Sequence, residues 1–226
     1  MSLTLAFDCA VTGMSVAVVK HGICLARAAE PGRDQAARLL PAIASVLRAA
    51  GVERREIALL AVTVGPGSFT GVRIGLAAAR GLAVALDVPL AGIPTTSALL
   101  AEADEADGRL SVAAIDSRLG DWFCALGGGD FAPFLATTEG LADRLSGQRC
   151  VIVGAEADTL ARALGMRGIA AAAYTTLPDA ATIARLAAAD GVEAWRGRNR
   201  AEGLPRPLYL RGVNITLPDG ARRTVD

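Results

Sequence analysis

Histidine and lysine are nearly absent from this chain: His21 and Lys20 each stand alone among 226 residues. A single imidazole cannot supply the paired ligands of a metal hydrolase. It also leaves Ser- and Cys-based acyl transfer without a nucleophile–base pair. His21 falls in a Lys20-His21-Gly22 turn between two strand-like runs, where a solvated side chain is expected. With one lysine, Schiff-base and phosphate-loop chemistry are removed unless Lys20 itself serves. Four cysteines (Cys9, Cys24, Cys124, Cys150) are scattered without a C-x-x-C pair, so neither a zinc knuckle nor a disulfide framework is indicated. Cys9, Cys24 and Cys150 lie in apolar runs and read as buried thiols. Neither charge is in excess, with 23 basic and 23 acidic residues, which argues against an autonomous nucleic-acid binder. No uninterrupted apolar run approaches the roughly 18 residues of a membrane span, although 52% of residues are hydrophobic and mean hydropathy is +0.40. No basic segment precedes the first strand, so a cytoplasmic protein without a signal peptide or membrane span is expected. The apolar excess suits a surface hidden against a partner, and an alanine-rich core explains it equally.

What is present centres on Gly65-Pro66-Gly67-Ser68-Phe69-Thr70-Gly71-Val72-Arg73-Ile74-Gly75. The buried-strand pattern Ala58–Val64 enters it and a helical pattern, Val72–Leu86, leaves it. Such a strand–loop–helix corner suits a phosphate, but both known loop patterns fail. Val72-Arg73 follows Gly71 where a Walker loop needs Lys-Ser/Thr, and the dinucleotide spacing of glycines is broken at Thr70. In the helix the only charges are Arg73 and Arg80, on one narrow stripe. Apolar residues nearly all round imply cover on a second side, either from the chain itself or from another subunit.

Three strands (Leu3–Asp8, Ser15–Lys20, Ile23–Ala28) open the chain as a meander. A helix over Ala36–Ala50 follows, kinked at Pro41 and closed by Gly51. Strand, signature helix and a short strand Leu90–Ile93 complete a β-β-β-α-β-α-β order, which builds a mixed sheet. A helix is expected over Ala98–Ala103 and an acidic surface linker over Glu102–Asp107. The second half repeats the plan in shorter form: strands Leu110–Ile115, Trp122–Leu126 and Phe131–Leu135, helix Thr137–Leu145, strand Cys150–Val153, helix Ala155–Leu164 and helix Thr176–Asp190. The domains are therefore set at 1–94 and 95–226. The arginine-rich tail from Trp195 reads as solvated, with Leu204–Leu210 tied down by prolines and apolar residues.

The stretch Gly65–Gly75 resembles the signature of the TsaB (YeaZ) family. So, in order, do Leu5–Asp8, Arg38–Pro41, Gly92–Thr96, Ala114–Arg118 and Pro207–Arg211. The resemblance implies an α/β, two-lobed actin/sugar-kinase/Hsp70-like (ribonuclease H-like) fold with a reduced second lobe. It implies a non-catalytic scaffold subunit of the complex that forms N6-threonylcarbamoyladenosine in tRNA. The partners would be a TsaD-like catalytic subunit and a TsaE-like ATPase, with tRNA reached indirectly through the complex. A homodimer of the isolated chain is compatible with the same surface. The His-x-x-x-His metal site of the catalytic relative cannot form here. Interface residues are expected at Leu39 and Ile43 of the first helix and at Val72, Arg73, Leu76, Ala79, Arg80 and Ala83 of the signature helix. One apolar face of that helix must lie on the sheet; Val72, Leu76, Ala79 and Ala83 adjoin the arginines, as an interface with a charged rim would. Kinases of this fold carry Gly and Ser/Thr after the first Asp to grip phosphate. Here Asp8 is followed by Cys9-Ala10-Val11, where TsaB proteins show Thr-Ser-Thr, so the grip is weakened. Asp8 and Asp116 remain as a vestigial nucleotide or magnesium pair, and the bland alternative is that they cap strand ends. No catalytic residue, metal or cofactor is expected. The rival reading is a small sugar-kinase-like ATPase acting alone through Asp8 and Asp116.

Overall fold

The computed structural model describes residues 3–32, 34–103, 108–129, 131–211, 213–216 and 222–225. The elements are β1 (Leu3–Asp8), β2 (Met14–Lys20), β3 (Ile23–Glu30), α1 (Gln35–Ala49), β4 (Ile57–Thr63), α2 (Phe69–Leu86), β5 (Leu90–Ile93) and α3 (Thr95–Leu100). The second half supplies β6 (Leu110–Asp116), β7 (Trp122–Leu126), β8 (Phe134–Ala136), α4 (Thr138–Arg144), β9 (Arg149–Gly154), α5 (Ala157–Gly165) and β10 (Ala170–Thr175). Then come α6 (Ala180–Asp190), α7 (Val192–Glu202) and the hairpin strands β11 (Val213–Thr216) and β12 (Arg222–Val225).

Two five-stranded sheets share one plan. The first runs β3-β2-β1-β4-β5 and the second β10-β9-β6-β7-β8. In each, an antiparallel meander is extended by two parallel strands. β1 is buried at every position and β4 at nearly every one, because helices cover both faces. On one face α1 and α2 enclose Leu5, Phe7, Leu60 and Val62. On the other lies α6, with Ile183 and Ala184 against Ala6, Ala17 and Ala61. The halves exchange a helix: α3 inserts Leu99 and Leu100 against the second sheet, while α6 returns to the first.

As the sequence implies, α1 is one helix with Pro41 inside it, and Gly51 follows with a left-handed φ of 65°. Other boundaries differ. α6 begins at Ala180, where Asp179 accepts the Ala181 amide at 2.6 Å. β10 went unread because Ala170-Ala171-Ala172-Ala173 favours helix locally; pairing with β9 overrides that preference. α7 has no apolar stripe to reveal it. It packs through Trp195, whose Nε1 donates to the Ala187 carbonyl at 2.8 Å. Asn199 of α7 takes the place of a missing strand: its Oδ1 accepts from Leu90 N at 2.8 Å and its Nδ2 donates to Leu90 O at 3.0 Å. α2, 18 residues long with mean hydropathy 1.4, has the length and apolarity of a membrane span, arginines included. A third of that helix, 33%, is buried in the protein. Of the expected acidic linker, 104–107 lie outside the described residues, as do Asp130 and the side chains of Arg222 and Arg223.

Candidate docking face and inter-lobe cleft

The signature loop lies on the β1–β2 turn. A Cβ on Gly67 would stand 2.2 Å from Ala10 O, and one on Gly71 only 1.9 Å from Cys9 O. Nothing but glycine permits that approach. Ser68 N donates to Ala10 O at 2.6 Å, and the Ser68 hydroxyl caps α2 by accepting from Gly71 N at 3.2 Å. The amide and turn that would face a phosphate are thus engaged by the chain itself.

Asp8 is sealed beneath this contact, 2% exposed. Its Oδ1 accepts from the Thr63 hydroxyl at 2.5 Å and from Ala10 N at 3.0 Å. Burial pushes its carboxyl up to about 6, with the Thr63, Ala10 and Cys9 hydrogen bonds pulling the other way. Burial, with the neighbouring Asp8 charge, pushes the Cys9 thiol up to about 12. Between the lobes lies a cleft of about 740 Å³, walled by the signature loop, by Asp116–Leu119 and by Leu208–Arg211. Asp116 lines it; Asp8 does not. Asp116 accepts from Arg118 N at 2.7 Å and pairs with the Arg118 guanidinium at 3.2 Å, and Arg118 also reaches Glu156 at 2.6 Å. A nucleotide with magnesium, which this fold brings to mind, therefore does not fit: one acid is buried under the loop and the other is neutralised by an arginine. Among the described residues no three His, Cys, Asp or Glu side chains gather as a metal site.

The expected interface residues separate into two groups. Leu39 (1%), Ile43 (4%), Val72 (4%), Leu76 (3%), Ala79 (0%) and Ala83 (4%) are buried in the chain's own core, not presented to a partner. Both flanks of α2 are apolar, so its sequence does not say which flank meets the sheet; the flank beside the arginines does. Arg73 and Arg80 stay at the surface, where the C-terminal segment engages them. Arg80 Nε donates to Pro205 O at 3.0 Å. Arg73 Nε donates to the Tyr209 hydroxyl at 3.0 Å, and its guanidinium lies 3.4 Å from the Phe69 ring centroid. Phe69 and Tyr209 stack at 5.9 Å.

Beyond Phe69, Thr70 and Arg73, what α2 leaves in solvent is Ala77, Gly81, Val84 and Ala85, edged by Ile74 and Ala78, without one acid. Val84 is 75% exposed and Leu40 of α1 is 56% exposed. Between the two helices runs an apolar groove of about 260 Å³, bordered by Leu40, Ala44, Leu47, Leu82 and Leu86 with Arg54 at one end.

A family model described as TsaD, tRNA N6-adenosine threonylcarbamoyltransferase, matches residues 29–187, well over half of the chain. Escherichia coli (strain K12) tRNA threonylcarbamoyladenosine biosynthesis protein TsaB is 38% identical over 122 residues, 54% of this chain and 53% of that protein. The chain belongs to this family, on its TsaB (YeaZ) branch. The Bacillus subtilis TsaB is 33% identical over 94 residues, 42% of this chain and 41% of its own length. The matched region spans about half the length of these TsaB relatives. The solved structure of YeaZ from Pseudomonas aeruginosa is 27% identical, with a TM-score of 0.71 over 93% of this chain and 100% of that one. A second solved chain, described as similar to the peptidase YEAZ from the same organism, gives 28% identity and a TM-score of 0.74. Component A of the Acidaminococcus fermentans (R)-2-hydroxyglutaryl-CoA dehydratase, 11% identical with a TM-score of 0.51, shares the fold alone. The two α/β halves of one plan are the fold shared with these solved structures.

Proposed function

We propose that this chain is a non-catalytic scaffold subunit in the formation of N6-threonylcarbamoyladenosine on tRNA, acting in the cytoplasm. Its α1–α2 face receives a TsaD-like catalytic subunit, and the same face serves a homodimer when the chain is alone. A TsaE-like ATPase joins the assembly, and tRNA is reached through the complex. The observation that carries this reading is the exposed, acid-free apolar face of α2 beside the α1 groove. A specific interface buries about 800 Å² per partner around a few dominant central residues. Val84, Ala77 and Gly81 occupy that centre, and small residues let a partner helix approach closely. The sealed Asp8 and the Arg118-paired Asp116 support a chain that performs no phosphoryl chemistry itself. The test is co-purification with a TsaD-like subunit. Val84→Asp is expected to abolish capture while circular dichroism is unchanged; capture at the parental level by a folded Val84→Asp chain overturns the reading.

A further inference from the structure

The segment from Gly203 to Arg211 returns across the first lobe and ends on the second. On the first lobe its hold is dense. Leu208 N donates to Val64 O at 2.8 Å, one residue past the end of β4. Pro205 O receives Arg80, and the Tyr209 hydroxyl receives Arg73. Two glycines make room for it: a Cβ on Gly92 would stand 2.7 Å from Pro205 Cβ, and one on Gly65 would stand 2.9 Å from Leu208 O. On the second lobe the hold shown among the described residues is the ion pair between Arg211 and Asp121. Asp121 closes the β6–β7 turn, where its carboxylate also accepts the Ser117 hydroxyl and its carbonyl accepts from Ser117 N at 3.1 Å. That turn carries Arg118 and Leu119, which form the opposite wall of the cleft.

We propose that this segment is a strap with a releasable latch: anchored permanently along β4 and α2, it fixes the angle between the lobes through Arg211–Asp121, and release of that pair opens the cleft. The asymmetry of its two ends supports a latch over plain packing. The first-lobe end combines a backbone hydrogen bond, a doubly engaged guanidinium and an aromatic stack. The second-lobe end is, among the described residues, one part-buried ion pair, with Arg211 31% and Asp121 15% exposed, and a partly solvated pair without a backbone bond beside it is the weaker hold and is open to screening by salt. The strap residues Leu208, Tyr209, Leu210 and Arg211 also line the cleft, so the latch and the cleft wall are one segment. The proposal is independent of which partner sits on α2.

The experiment is pulsed electron paramagnetic resonance on the full chain, with spin labels at Ser45→Cys in α1 and Ser146→Cys after α4, both exposed positions, and with half-buried Cys24 replaced by Ser. The parent is expected to give one narrow inter-label distance. Arg211→Ala and Asp121→Ala are each expected to broaden it and shift it to longer distance, the double variant adding nothing to either. About 1 M salt is expected to mimic them in the parent. Arg118→Ala, which breaks ion pairs confined to the second lobe, is expected to leave the distance unchanged. Parental distributions in both latch variants overturn the proposal, as does equal broadening by Arg118→Ala.

Discussion

The Asp8 carboxylate accepts the Thr63 hydroxyl at 2.5 Å across the parallel pair β1 and β4, directly under the signature loop. The acid is a buried strut, 2% exposed. Its folded-state carboxyl, at about 6, stands above the ordinary 3.8 because burial penalises the ionised form. The sign follows. The stabilisation from a protonated Asp8 is complete below about pH 3.8 and is lost as pH rises through about 6. The span corresponds to about 3 kcal/mol. Thermal melts between pH 4 and 7 should show this slope in the parent. Asp8→Asn, which cannot ionise, should flatten it, and an unaltered slope would mean that Asp8 titrates normally.

Nucleotide should leave the chain indifferent. A ligand at 100 times its dissociation constant stabilises a folded protein by about 2.7 kcal/mol. Millimolar ATP with magnesium is therefore expected to give no shift of Tm and no phosphate release above a buffer control. A clear upward shift that Asp116→Ala removes would restore the rival ATPase reading.

Two leucine-to-arginine and valine-to-arginine changes, one on each side of α2, should behave oppositely. Leu76 is 3% exposed on the sheet, and an unpaired charge there costs several kcal/mol, so Leu76→Arg is expected to unfold the chain. Val84 is 75% exposed, and Val84→Arg should change stability by no more than about 0.5 kcal/mol while abolishing association. Circular dichroism and gel filtration together separate the two results.

The glycines of α2 make a second contrast. A Cβ at Gly71 meets Cys9 O, so Gly71→Ala is expected to cost about 1–3 kcal/mol as the loop is pushed off the β1–β2 turn. A Cβ at Gly81 meets nothing, so Gly81→Ala should raise stability by up to about 1 kcal/mol through helix propensity. Urea midpoints decide both.

The first lobe was largely legible in the sequence because its patterns are strong: period-two runs in β1 and β2, an unbroken apolar run in β4, and helical spacing in α1 and α2. The α/β two-lobed plan and the family followed from them and from the signature. Alanine defeated the rest. It favours helix where β10 forms a strand, and on α2 it makes both flanks look alike, so the pattern beside the arginines suggests an outer face where Val72, Leu76, Ala79 and Ala83 in fact meet the core. The roles of Arg73 and Arg80 depend on residues more than a hundred positions later, which no local pattern reports. The prolines and apolar residues around Tyr209 were the available signal.

Asn199 has a consequence of its own. A sheet that ends on a bare strand is a template on which other molecules can grow. By satisfying both backbone groups of Leu90, one side-chain amide terminates that growth on the β5 side without a strand being present. Colloidal behaviour then hangs on α7 staying docked. Conditions that melt this single helix, before they reach the core, would uncover the β5 edge as a nucleus for precipitation.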